Sequence, residues 1–142
     1  MSTHQRTTGR AGTTGQGARS RHPLYSALIG LAALGVLLQG LWAGLFVHNG
    51  REYQENWVEV HALDGEVTIA LAALATVAAF VFLRHRRDIV VGTAVLTVLL
   101  VVEAYIGGRI WGTSGLTAIH FPLALALMGL AVWLSFRSAL RT

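Results

Sequence analysis

Between residues 24 and 136 the chain is built from apolar runs of about 20 residues, the length that crosses a bilayer, separated by shorter polar stretches. The runs are Leu24–Val47, His61–Leu83, Ile89–Ile106 and Thr117–Phe136. Within each run Leu, Ala, Val and Gly follow one another without alternation, which excludes the strands of a membrane barrel. The pattern predicts an all-α integral membrane four-helix bundle, with helices over 24–47, 61–83, 89–106 and 117–136. Residues 1–22, "MSTHQRTTGRAGTTGQGARSRH", carry almost no apolar side chain to offset the entropy of ordering. They are expected to form a disordered basic tail ahead of a transmembrane domain spanning 23–142. The first apolar run is longer than a signal-peptide core of about 7–15 residues, so it is expected to stay as a helix.

Composition agrees with this reading: 54% of the 142 residues are hydrophobic and 13% charged, too apolar for an ordinary soluble domain. All eleven basic residues are arginine. Nine of them flank one side of the predicted spans: Arg6, Arg10, Arg19, Arg21, Arg84, Arg86, Arg87, Arg137 and Arg141. Only Arg51 and Arg109 lie in the other two loops. Cytoplasmic loops hold the excess of arginine and lysine, so both termini and the "RHRRD" loop are assigned to the cytoplasm of a multi-pass cell-membrane protein. The net charge of +4 then reflects orientation and attraction to anionic lipid. No nucleic-acid partner is indicated, because the arginines are not interleaved with aromatic residues. The chain has no cysteine, which excludes disulfides, thiolate metal sites and thioether-linked haem. There is no nucleophile–base motif, phosphate loop or dinucleotide fingerprint either.

The two halves resemble each other. "LLQGLWAG" (37–44) aligns with "VVEAYIGG" (101–108), matching Gln39 to Glu103 and Gly44 to Gly108. A loop follows in each half, and then a helix that opens on a histidine, His61 or His120. Helices one and three run the same way, so the halves read as two parallel helix-pair repeats. Depth is the difficulty. From His61 to Arg84 is 23 residues and from His120 to Arg137 only 17, an offset of roughly 9 Å at helical rise.

Of the six histidines, His4, His22 and His85 sit among arginines and read as solvated. His48, His61 and His120 lie towards the outer end, and His120 falls inside an apolar run, where an ionisable group is a functional candidate. Two neutral imidazoles from facing helices are able to ligate one haem iron axially. That makes His61 and His120 candidate metal ligands for a haem b. Gln39 and Glu103 are placed to fix the rings through their second nitrogens, and Arg51 and Arg109 to meet the propionates. His48 has no mate in the repeat, and its role stays open. Three further readings fit the same residues: hydrogen-bonded polar glue between helices, proton transfer through Glu103, and binding of another metal. Two separated histidines do not make a closed zinc set. Glu59 and Asp64 read as charges at the positive end of helix two. Glu66, about one turn deeper, reads as a cap, a snorkelling side chain or a partner for Arg51 or Arg109. Trp42, Trp57 and Trp111 are expected as interfacial anchors.

The segments "LxVVEAYIGG" and "LTAIHFPLALAL", with histidines opening helices two and four, resemble one four-helix half of haem A synthase. The likeness covers residues 24–136 and extends to small stand-alone four-helix membrane proteins of high-GC bacteria. It implies b-type haem ligation by His61 and His120, electron-transfer or haem-handling work, and either a membrane redox partner or a homodimer that restores an eight-helix body. The family's first histidine usually follows a glutamate by three positions and precedes an arginine; here those positions hold Val58 and Ala62.

The charge distribution predicts that a fluorescent protein fused after Thr142 folds and fluoresces, whereas alkaline phosphatase fused at the same point stays inactive. Active phosphatase there would reverse the assignment.

Overall fold

The computed structural model describes residues 22–48, 51–110 and 114–140. These form four helices: α1 (Pro23–His48), α2 (Arg51–Phe82), α3 (Arg87–Gly107) and α4 (Ser114–Ala139). Each contains a segment long and apolar enough to cross a membrane: Pro23–Val47, Asn56–Phe82, Arg87–Gly107 and Gly115–Ala139. The expected disordered tail lies, except for His22, outside the described residues.

Three of the helices begin and end near the limits of the apolar runs, and α2 does not. It starts at Arg51, ten residues before His61. The segment "REYQENWVEV" is polar, which removes it from an apolar block, but it has no Gly or Pro and is rich in good helix formers. Glu59 and Asp64 therefore lie well inside α2 and not at its dipole end. At the other end of the chain, α4 continues past Arg137 to Ala139. This removes most of the expected depth mismatch. His61 stands 21 residues from Phe82 and His120 stands 19 from Ala139, which leaves about 3 Å.

Consecutive helices pack on each other and α4 packs back on α1, closing a four-membered ring. α1 and α3 are thus one diagonal, and α2 and α4 the other. Each helix turns a stripe of 4–3 spacing inwards, the spacing of helices packed at shallow angles. The buried positions are Tyr25, Ile29, Ala32 and Val36 on α1, and Thr68, Ala72, Ala75 and Ala79 on α2. On α3 they are Ile89, Thr93, Leu96, Leu100 and Glu103, and on α4 Leu127, Ala131, Leu134 and Ser138. Outside the stripes stand exposed Leu37, Val77, Phe80, Val98 and Leu125, so the surface is as greasy as the interior. This explains why no helix has an apolar side in the usual sense; only on α2 is the inner stripe set apart, by its small side chains.

The end of the bundle that carries the α2–α3 loop is tied by polar contacts. Tyr25 and Thr93 share a 2.8 Å hydrogen bond across the α1–α3 diagonal, both fully buried. Thr76 and Thr97 join α2 to α3 at 2.9 Å. Arg137 Nε donates to Asp88 Oδ2 at 2.9 Å, and Arg86 donates to the Arg137 carbonyl at 3.0 Å, so the loop clasps the last turns of α4. Arg137 is therefore held in an ion pair here. His22, expected to be solvated, stacks on Phe82 with ring centroids 3.9 Å apart.

α1 and α2 form the most extensive interface, and its closest point is Gly35 against Thr68. A Cβ at position 35 would overlap Thr68 Oγ1 and press on Thr68 Cβ at 3.2 Å and Cγ2 at 3.3 Å. Gly35→Ala should therefore push the helices apart and cost about 1–3 kcal/mol. Adding Thr68→Gly should recover part of that loss. Unfolding of the single and double variants in detergent measures the coupling, and strictly additive losses would contradict the close approach.

Candidate functional site

Extending the four inner stripes towards the end opposite the "RHRRD" loop brings the polar candidates into line. Gln39 lies three residues beyond Val36, and Glu103 three beyond Leu100. His61 and Gly65 continue the α2 stripe outwards from Thr68, and His120 and Ala124 continue the α4 stripe outwards from Leu127. Four residues picked out as chemistry from sequence thus occupy core-facing register positions on four different helices. They gather at one end because the helices alternate in direction.

The α1–α2 half is the more fully bonded. The Gln39 amide Nε2 donates to the His61 carbonyl at 2.8 Å and to Asp64 Oδ2 at 2.8 Å. His61 Nδ1 faces the Gln39 carbonyl oxygen at 3.2 Å. A carbonyl oxygen only accepts, so this contact is a hydrogen bond when the proton sits on Nδ1, which leaves Nε2 with a free lone pair. The Phe46 ring packs edge-on to His61, with centroids 5.5 Å apart. Trp42 stacks on Trp57 at 5.5 Å across the same helix pair, and its indole N–H is buried without a partner. The two residues, expected as interfacial anchors, join α1 to α2 here.

The α3–α4 half is sparser. His120 Nδ1 lies 3.0 Å from Glu103 Oε1, and the two side chains are 16% and 11% exposed. The oxygen is off the line of the ring N–H, so the contact is close but not an aligned hydrogen bond. Neither carboxylate oxygen of Glu103 nor Nδ1 of His120 has another partner. The His120 ring rests against Gly107, where a Cβ would meet Cε1 at 3.2 Å. Glycine at 107 is what allows the imidazole to lie flat against the α3 backbone.

Each candidate from the repeat therefore touches the histidine of its own half, Gln39 with His61 and Glu103 with His120. His61 on α2 and His120 on α4 stand on diagonally opposed helices at the same end of the bundle. Arg109 is placed differently from the other candidates. Its guanidinium sits 4.5 Å over the centroid of the Tyr105 ring on the exposed side of α3. His48 closes α1 and Arg51 opens α2, but their side chains lie outside the described residues, as does Trp111. Asp64 was read from sequence as a helix-end charge and is instead part of the site. Its position three residues after His61, on one face of a helix, was the available signal. Among the described residues no group of three or more histidine, aspartate or glutamate side chains is arranged to hold a metal ion. Compared with known proteins, the chain matches no family model, no curated protein and no solved structure.

Proposed function

We propose that the chain is an integral membrane protein with four spans and cytoplasmic termini, built as two parallel helix-pair repeats. In this reading it holds one b-type haem between His61 and His120 and serves electron transfer or haem handling. The observation that carries the proposal is the placement of the two imidazoles. They lie on the inner stripes of diagonally opposed helices, at the same end, each with Nδ1 directed to a residue of its own half. His61 and His120 would hold the iron through their Nε2 atoms. The orphaned oxygens of Glu103 and the glycine cradle under His120 fit a ring held to present its other nitrogen. The exposed Leu, Val and Phe side chains all round the bundle support the bilayer.

Haem bound by two histidines supplies one-electron chemistry and keeps no open position for a small ligand. The residues of the chain do the rest. Gln39 fixes the backbone and the ring of His61, Asp64 orients the Gln39 amide, and Glu103, beside His120 Nδ1, would strengthen that ring as a donor once the contact aligns. Arg51 and Arg109 are the basic residues that the sequence offers to propionates, and the Arg51 side chain lies outside the described residues. Arg109 reaches them only by leaving Tyr105.

A second reading has an observation of its own: His61 already bonds a protein carbonyl and His120 already lies 3.0 Å from Glu103, so the same contacts act as polar glue in a cofactor-free accessory subunit. The visible spectrum of protein purified from a haem-replete host separates the two. Haem ligation predicts a sharp reduced α-band that is lost in both His61→Ala and His120→Ala. It also predicts that Glu103→Gln keeps the band and raises the midpoint potential, since a neutral amide stabilises ferric iron less through the imidazole. Colourless, folded protein overturns the haem reading. The glue reading then predicts only a stability loss of about 0.6–2 kcal/mol per histidine variant.

A further inference from the structure

Glu66 lies on α2 within the apolar segment Asn56–Phe82, exposed and turned away from the inner stripe. A carboxylate at such a place is costly unless something meets it. From sequence its natural partners are Arg51 and Arg109. Arg51 is on the same helix, about 22 Å further along, and out of reach. No ion pair joins Glu66 to Arg109, or to any other cation among the described residues.

The same outer face of the bundle carries a complementary feature on α3. The Thr76–Thr97 hydrogen bond identifies the sides on which α2 and α3 meet. Ala73 and Phe80, three before and four after Thr76, border that seam on α2, and Glu66 continues the same heptad series outwards. On α3, Ala94 and Val101 border Thr97 in the same way, and Tyr105 and then Arg109 follow, each a turn further on. Phe80, Val101 and Tyr105 are exposed by 69%, 51% and 60%. An apolar groove lined by Val90, Val91, Ala94, Val95, Val98 and Leu99 runs along α3 nearer the loop end. Depth matches too. By helical rise Glu66 stands about 24 Å from the loop end of α2, and Tyr105 about 27 Å from that of α3. Arg109 starts higher, but stacking draws its guanidinium down to the Tyr105 ring.

We propose that this α2–α3 face docks a second copy of the chain, related by a two-fold axis along the membrane normal. Such an axis sets α2 of one copy against α3 of the other. Glu66 then meets Arg109 and Tyr105 of its neighbour, and the reciprocal pair forms alongside. One face carries both charges at nearly one depth, so it is complementary to itself under that rotation. Below the charges, Ala73 and Ala94 allow close approach, and Phe80 has the partner's valine groove to enter. The pairing rests on the bilayer reading above and is independent of haem.

The test uses the full chain, extracted from membranes into lipid nanodiscs or mild detergent, with subunits counted by single-molecule photobleaching. The membrane fraction checks insertion separately, so failure to insert is distinguishable from failure to pair. Wild-type protein is expected as a dimer. Glu66→Arg and Arg109→Glu should each lower the dimer fraction at least tenfold, and the combined Glu66→Arg/Arg109→Glu chain should restore it. Because the chain lacks cysteine, a second readout is clean: co-expressed Ala73→Cys and Ala94→Cys chains should cross-link to each other on oxidation. Monomeric wild-type protein, or a double reversal no better than the singles, overturns the proposal. So does a dimer that neither single reversal weakens.

Discussion

The narrow α2 stripe, running from Gly65 through Thr68, Ala72 and Ala75 to Ala79, is the constraint on which the rest of the bundle depends. Small side chains there let the neighbouring helices approach until Gly35 meets Thr68 with no room for a methyl group. Where lipid tails are as apolar as leucine, burial gives helices little reason to associate, and close contact with hydrogen bonds across it must serve instead. The same closeness decides which polar groups reach each other. The Gln39 amide spans the α1–α2 gap to two acceptors at 2.8 Å, and Gly65 lies alongside it.

The polar contacts fall into two layers with different characters. At the loop end the hydroxyls and the Arg–Asp clasp are paired: Tyr25 with Thr93, Thr76 with Thr97, Arg137 with Asp88. That layer closes the bundle. At the histidine end the pairing is incomplete, and Glu103, His120 and Trp42 all keep buried polar atoms without partners. Thr68 Oγ1 in the middle of the bundle and His22 Nδ1 at the loop end are also buried without a partner, so the histidine end holds most of these atoms but not all.

The two halves also reach similar ends by different chemistry. His61 is held by a main-chain carbonyl, a partner that no substitution removes, with Gln39, oriented by Asp64, bracing the backbone around it. His120 lies beside a carboxylate, without an aligned hydrogen bond, against bare backbone at Gly107. An imidazole facing a carboxylate is a stronger donor than one facing a carbonyl. Any guest shared by the two rings would therefore see unequal sides.

Much of the architecture was legible in the sequence because length and apolarity are local properties. Four runs of sufficient length predict four helices, and the alignment of Gln39 with Glu103 already marked the positions that touch the two histidines. The start of α2 was not legible, since "REYQENWVEV" has lost the apolar signal while keeping helix propensity. Asp64 was misread for the same reason: with the helix start misplaced, it became an end charge. Nor does any local pattern separate inward from outward positions when both are apolar. Arg109 and Glu66 are ambiguous in sequence for that reason. The sequence by itself determined how many helices there are and roughly how long they run. Which residues turn inwards, and which polar atoms find one another, was decided only by the tertiary structure, because that choice depends on how closely helices distant in the chain can approach.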